Sequence, residues 1–273
     1  MPDRLISIAE ISRVIPTKGS LPVVVMADDF EDYVCKYDHT NKLINEYVSY
    51  KFLEAWGLFL PKVAFVDIKP EHIKQEFIQN RLQPHHFQKP CFALRFEDNA
   101  IDVNTFLLGI KGDYNELAKF ANRLEILKIA FFDLWTANND RNGNNFNLLV
   151  VSEQNKYYIC PIDHSDIFDG GMLGHELTQL TQEDSILSTD LAKVFTINKN
   201  LVNDYILDLL LKFDTFVAVC GNILHDVIQD IPDEWCQNKD LLEEQIRATL
   251  INNSGWLTDT KNNFKELIQK YIR

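Results

Sequence analysis

Glycine is scarce in this chain, at ten of 273 residues. No G-x-G-x-x-G fingerprint, Walker A run or G-x-S-x-G elbow is present, which argues against a glycine-cradled nucleotide loop and a serine-hydrolase site. Cysteine adds little: Cys35, Cys91, Cys160, Cys220 and Cys236 are odd in number and form no C-x-x-C pair. Three of them sit in apolar runs, where a buried thiol is the expected state, and a reducing compartment follows. The seven histidines show no H-x-x-x-H or Cys–His spacing, so no zinc site is assigned. Basic residues are outnumbered 27 to 40, for a net charge of −13. That balance opposes direct nucleic-acid binding and attachment to an anionic membrane. No apolar run approaches the roughly 18 residues that span a bilayer. Met1 to Arg13 alternates apolar and charged residues, unlike a signal peptide, and a cytoplasmic location is expected.

What the chain has in quantity is apolar and aromatic side chain, 46% and 11% of its residues. That suffices for one large domain or for two lobes sharing a cleft. Residues 22–27, 33–37, 63–68 and 91–96 read as short β-branched or aromatic strands. Leu43 to Trp56 has helical spacing and ends at Gly57, a C-cap signal, and residues 71–80 read as a short helix. Beyond about residue 100 the pattern changes. Asn115 to Ala137 reads as one strong helix, and Leu201 to Ile228, Trp235 to Ile251 and Lys261 to Ile272 as three more. The fold class is therefore α+β: a small β-rich lobe with one principal helix over residues 1–100, and a mainly helical lobe over 101–273.

The chemistry concentrates in Asn139-Asp140-Arg141-Asn142-Gly143-Asn144-Asn145 and the following Pro161-Ile162-Asp163-His164. Between them, residues 146–151 and 157–162 read as a hairpin around the turn 152–156. Such a hairpin brings Asn145 and Asp163 together at one end, with Asp140 on the loop leading in. A base for an attacking hydroxyl and two hard oxygen ligands for Mg²⁺ are what phosphoryl transfer requires. An Asx turn explains Asp140 in isolation, but its place between a long helix and a hairpin favours the base. Asn144 and Asn147 are alternative ligands or outer groups. Lys36 ends an apolar strand and Glu46 follows on the helix; a strand lysine braced by a helical glutamate holds ATP phosphates, although a lysine at a strand edge also snorkels to solvent. Thr17, Gly19 and Ser20 can offer backbone amides to phosphate, and a plain turn explains them as well.

Taken together, Val34-Cys35-Lys36-Tyr37, Asn45-Glu46-Tyr47 with Leu58-Phe59-Leu60-Pro61, the Asn139–Asn145 loop and Ile162-Asp163-His164-Ser165 resemble the HipA-like kinases. The resemblance implies a two-lobed kinase fold, MgATP as cofactor and a Ser/Thr hydroxyl as acceptor on a protein of unknown identity. It implies that Asp140 is the catalytic aspartate, with Arg141 beside it in the catalytic loop. It assigns Asn145 and Asp163 to the metal, and Lys36, braced by Glu46, to ATP. The matched segments do not include the extra N-terminal subdomain of full HipA toxins, so no antitoxin partner follows. A pseudokinase or interaction module on the same fold, and an aminoglycoside-type kinase with a small-molecule acceptor, are the competing readings.

Overall fold

The computed structural model describes residues 1–16, 21–37, 39–78, 82–110, 115–171 and 173–272. Thr17, Gly19 and Ser20 lie outside the described residues. The first lobe is built from β1 (Asp3–Ile6), β2 (Arg13–Val14), β3 (Val23–Met26), β4 (Asp32–Lys36), α1 (Thr40–Ala55), β5 (Val63–Asp67), the single turn α2 (Gln75–Ile78) and β6 (Cys91–Arg95). These strands form one six-stranded sheet in the order β1-β5-β6-β4-β3-β2. β1 runs parallel to β5, and the other neighbours pair antiparallel.

Strand alternation sorts the side chains of this sheet. Tyr33 and Cys35 of β4 join Ala64, Val66, Cys91 and Ala93 in the core of the first lobe. Lys36 therefore emerges on the opposite face, opposite Phe92 in register. That face carries Phe65 and Phe92, which pack with Leu43, Tyr47 and Phe52 of α1 into the main core. Helix α1 ends in a Schellman motif: Gly57 N–H donates to the Glu54 carbonyl at 2.9 Å and Leu58 N–H to that of Leu53 at 3.1 Å. Gly57 has φ +72°, the left-handed conformation that closes such a motif and that favours glycine.

The chain leaves the first sheet at Arg95 and enters a three-stranded antiparallel sheet at β7 (Ala100–Asp102), which pairs with the hairpin β8 (Leu148–Glu153) and β9 (Lys156–Pro161) in the order β7-β8-β9. Helix α3 (Val103–Ile110) follows β7, and α4 (Glu125–Thr136) runs through the centre of the second lobe. After the hairpin come the distorted turn α5 (Ile167–Gly171), then α6 (Asp190–Phe195), α7 (Lys199–Asp230), α8 (Lys239–Ile246) and α9 (Ser254–Tyr271). Ten of the twelve residues of α4 are buried, so it is apolar nearly all round, as a central helix must be. Phe131 is stacked between Phe213 and Phe264 at centroid distances of 4.5 and 4.2 Å. Trp56 of the α1 cap stacks on Trp135 at 5.5 Å, carrying this aromatic core across to the first lobe.

Three helix expectations are corrected. The segment 115–137 is not one helix: a 3₁₀ turn at Glu116–Lys119 gives way to extended backbone at Phe120, and Ala121 N–H donates to the Tyr157 carbonyl at 2.9 Å. The hairpin thus takes a backbone donor that a continuous helix would have used internally. The helix expected from Trp235 starts at Lys239, capped by Asn238, and closes in a π turn over Arg247–Ile251. Trp135 Nε1 donates to the Leu250 carbonyl there at 3.1 Å, a tertiary bond within the turn. The last helix begins at Ser254, not Lys261, because Asn253 Oδ1 accepts from Trp256 N–H at 3.0 Å. All five cysteines are free thiols and four are buried. Among the described residues no helix is long and apolar enough to cross a membrane.

Candidate active site

Four pieces of chain converge on the cleft between the lobes: the end of β4, one face of α1, the loop after α4, and the residues following β9. α4 stops where Ala137 turns left-handed at φ +50°. The buried Asn138 then straps the loop: its Nδ2 donates to Asp133 Oδ1 at 3.0 Å, and its Oδ1 accepts from Asp140 N–H at 3.4 Å. Asp140 Oδ2 receives two amide donors, Asn145 Nδ2 at 2.9 Å and Asn147 Nδ2 at 2.8 Å. The second asparagine, expected only as an alternative ligand or outer group, is a direct partner of Asp140.

The hairpin register explains why. β8 begins at Leu148, which pairs with Pro161, and Ile162 N–H continues the ladder to the Asn147 carbonyl at 3.0 Å. The residue paired beside the end of β9 is therefore Asn147. Asn145 lies further up the loop, and among the described residues no hydrogen bond joins it to Asp163.

Asp163 sits at φ +59°, left-handed, immediately after Ile162. Its Oδ1 accepts from Lys36 Nζ at 2.9 Å, and Lys36 also pairs with Glu46 Oε1. Glu46 Oε2 in turn accepts from the His164 N–H at 3.1 Å. Lys36, Glu46 and Asp163, spread over 127 positions of sequence, thus form one hydrogen-bonded cluster. Burial works against the Lys36 charge, but the Asp163 and Glu46 carboxylates outweigh it and hold the ammonium above its ordinary range. Lys36 holds the Asp163 carboxyl well below the usual carboxylate range, against the opposing effect of burial. Glu46 is only 2% exposed. Burial pushes it up to about 7, with Lys36 pulling it down and Asp163 adding to the rise. One ammonium is shared between two carboxylates, and the more buried of the two is the harder to ionise.

α1 presents Lys42, Asn45 and Glu46 at spacings of three and four, hence on one face. All three reach the segment after β9. Asn45 Nδ2 donates to the carbonyls of Ser165 at 2.8 Å and Gly171 at 3.1 Å. Lys42 Nζ lies 3.7 Å from Asp166 Oδ1. Four consecutive residues there, Phe168 to Gly171, have positive φ.

Arg141 faces inward. Its side chain is 0% exposed and paired with Asp133 of α4. Nη2 donates to the Ile162 carbonyl at 2.7 Å and contacts His164 Nε2 at 2.9 Å. Burial first, then the Arg141 and Lys36 charges, hold the His164 imidazole well below its ordinary range. It is neutral and accepts the Arg141 bond through Nε2, which puts its proton on Nδ1. Ile162 is consequently gripped on both sides, its N–H by Asn147 and its carbonyl by Arg141. The carbonyl grip and the Asp133 pair make Arg141 a strut between the Asp140 loop and the segment after β9 that carries Asp163. The sequence signal for its partner was a lone aspartate, Asp133, inside the apolar run of α4.

The donor set left in the cleft suits a hard cation. Asn145 spends its Nδ2 on Asp140 and Asp163 spends Oδ1 on Lys36, so the amide Oδ1 and the carboxylate Oδ2 have no donor among the described residues. Both are oxygens of the kind Mg²⁺ takes. Behind Glu46 lies a small apolar cavity lined by Leu60, Pro61, Phe92, Leu94, Pro161 and Ile162. Wider surface depressions, such as that lined by Asp240, Glu243, Arg247 and Asn252, contain none of these groups.

A sheet lobe whose strand lysine is braced by a helical glutamate, over a helical lobe with an Asp-x-x-x-x-Asn loop and a hairpin leading to a second aspartate, defines a kinase. The family model described as HipA-like kinase matches residues 8–266, and the chain belongs to that family. Among solved structures it is similar to a Helicobacter pylori proinflammatory kinase, CtkA, at 16% identity and TM-score 0.56, covering 98% of this chain and 99% of that one. That likeness shows the shared kinase-like fold. The open conformation of CtTel1 aligns at 11% identity over 94% of this chain and 11% of that one, with TM-score 0.32. No curated protein matches the chain.

Proposed function

We propose that this kinase transfers the γ-phosphoryl group of MgATP to a Ser/Thr hydroxyl of a protein in the cytoplasm. The observation that carries the reading is the cluster in which Lys36 bonds Glu46 and, across the cleft, Asp163 at 2.9 Å, together with an Asp140 held by Asn145 at 2.9 Å. Asn145 Oδ1 and Asp163 Oδ2 would hold Mg²⁺, which neutralises developing charge on the phosphates when bound. Lys36 faces the phosphates, and Glu46 keeps its ammonium from folding back onto Asp163 alone. Asp140 orients the acceptor hydroxyl and accepts its proton late, because a loose transition state needs alignment more than a strong base. Arg141 acts through its neighbours, so it is a positioning residue. Choice of the acceptor falls to the surface around residues 165–200, which leads away from Asp163, and to the C-terminal helices.

The test is phosphate transfer from labelled MgATP by purified protein. Asp140→Ala is expected to lose transfer by about 10²–10⁴-fold while keeping nucleotide affinity. Asp163→Ala is expected to lose both transfer and the Mg²⁺ dependence of ATP binding. Transfer retained in both variants would overturn the assignment.

A further inference from the structure

Asp140 has two carboxylate oxygens, and the structure treats them differently. Oδ2 takes the side-chain amides of Asn145 at 2.9 Å and Asn147 at 2.8 Å, while among the described residues no donor reaches Oδ1. Two N–H donors converging on one oxygen fix the rotation of the carboxylate and leave the other oxygen for an incoming hydroxyl. The two asparagines are anchored unlike each other. Asn145 belongs to the loop and also carries the oxygen assigned to the metal, so its orientation is shared with whatever the cleft binds. Asn147 is anchored to the hairpin: its carbonyl accepts from Ile162 N–H at 3.0 Å, one residue before Asp163. A single residue therefore ties the Asp140 carboxylate by its side chain and the segment leading to Asp163 by its backbone.

We infer that Asn147 is a positioning residue for catalysis, an amide that aims Asp140 Oδ1 at the acceptor hydroxyl and keeps it in register with Asp163. The inference rests on the kinase reading of Asp140. It needs an asparagine for two physical reasons at once. The backbone at 147 has φ +49°, which Asn, Asp and Gly tolerate best. The side chain must be a donor, since its partner is a carboxylate that only accepts. Aspartate meets the first requirement and fails the second, presenting an oxygen and a like charge to Asp140.

This yields an ordering that a mere turn-forming role does not. Asn147→Gly keeps the backbone and removes the donor. Asn147→Asp keeps backbone and shape and reverses the interaction. Turnover of labelled MgATP, as autophosphorylation and phosphate release, should fall about tenfold in Asn147→Gly and about 10²-fold or more in Asn147→Asp, a scale set by the cost of misplacing one reacting group. Affinity for a fluorescent ATP analogue with Mg²⁺ should stay within about twofold in both, because the residue holds the acceptor side of the site. If Asn147→Asp turns over MgATP as well as or better than Asn147→Gly, or if both match the unaltered protein, the inference is wrong and the kinase reading stands. If the unaltered protein itself neither binds nor turns over MgATP, the kinase reading fails and the inference with it. Should Asn147→Asp not fold, Asn147→Gly decides alone: lower turnover at unchanged nucleotide affinity and melting midpoint supports the inference, and unchanged turnover refutes it.

Discussion

Replacing Arg141 with methionine removes one half of a fully buried ion pair, and the structure sets the size of the effect. Arg141 is 0% exposed and the Asp133 side chain 4%. Losing the guanidinium strands Asp133 inside α4, where a lone charge cannot be hydrated. Breaking a buried pair from one side costs about 3–5 kcal/mol. At about 2–4 °C per kcal/mol for a chain near this size, the melting midpoint should drop by roughly 6–20 °C. The intact pair is itself imperfect: Asp133 Oδ2 and Arg141 Nε are buried with no hydrogen-bond partner. An apolar pair should therefore fit tolerably, and the double variant Asp133→Leu/Arg141→Met should recover at least about 2 kcal/mol of the summed single losses. Turnover should behave otherwise. The double variant still lacks the donor to the Ile162 carbonyl, so its kcat should stay down by about 10²-fold, the cost of a small misplacement of Asp163 against Asp140. Denaturant melts and MgATP turnover on the four proteins of the cycle give both quantities. Additive destabilisation, or full activity in folded Arg141→Met, would refute the strut.

Three further outcomes follow from the same geometry. Lys36→Ala removes a charge-assisted contact worth about 1.5–3 kcal/mol, so nucleotide affinity should fall roughly 10–100-fold by calorimetry, and a loss under about threefold would contradict the phosphate role. Gly171→Ala should destabilise more than Gly170→Ala in thermal melts: both sit at φ +92°, but only at 171 does a Cβ meet a backbone atom, the Ser165 carbonyl at 3.0 Å. Because His164 is held neutral when folded but protonates when unfolded, the folded state loses stability as pH falls below about 6.5. His164→Gln, which can still accept from Arg141, should match the unaltered protein at pH 8 and be less acid-labile in metal-free melts. An identical pH dependence would sink that cause.

Much of the candidate site is legible in the sequence, for reasons that differ by residue. Lys36 and Glu46 stood out because a charge ending an apolar strand and another on an apolar helix are each anomalies of burial. Asp140, Asn145 and Asp163 stood out by spacing around a recognisable hairpin. Asn147 is legible only as an alternative to Asn145, because its role depends on a register of one residue, Leu148 against Pro161, which alternation cannot fix to that precision. The inward Arg141 was equally hidden: nothing local distinguishes a loop arginine that faces substrate from one that meets Asp133 eight positions earlier. The helical lobe was legible in outline and wrong at its edges. Phe120 looked like one more apolar helix position, but a pairing with Tyr157 made it extended. Asn253 is a readable cap, and the helix it opens at Ser254 begins ahead of the expected Lys261. Short elements with little periodicity, β7 and α3 between residues 100 and 110, escaped for lack of a pattern.

The central claim is that Asp140 and Asp163 make this chain a working phosphotransferase. Mass spectrometry of the purified protein after incubation with MgATP tests it most directly, alongside Asp140→Ala and Asp163→Ala. The account predicts phosphate-sized mass increments on the unaltered protein or on added protein substrate, abolished in both variants and by chelation of Mg²⁺. Increments that persist in Asp140→Ala and Asp163→Ala alike, or an unaltered protein that neither binds ATP nor gains phosphate, would contradict it.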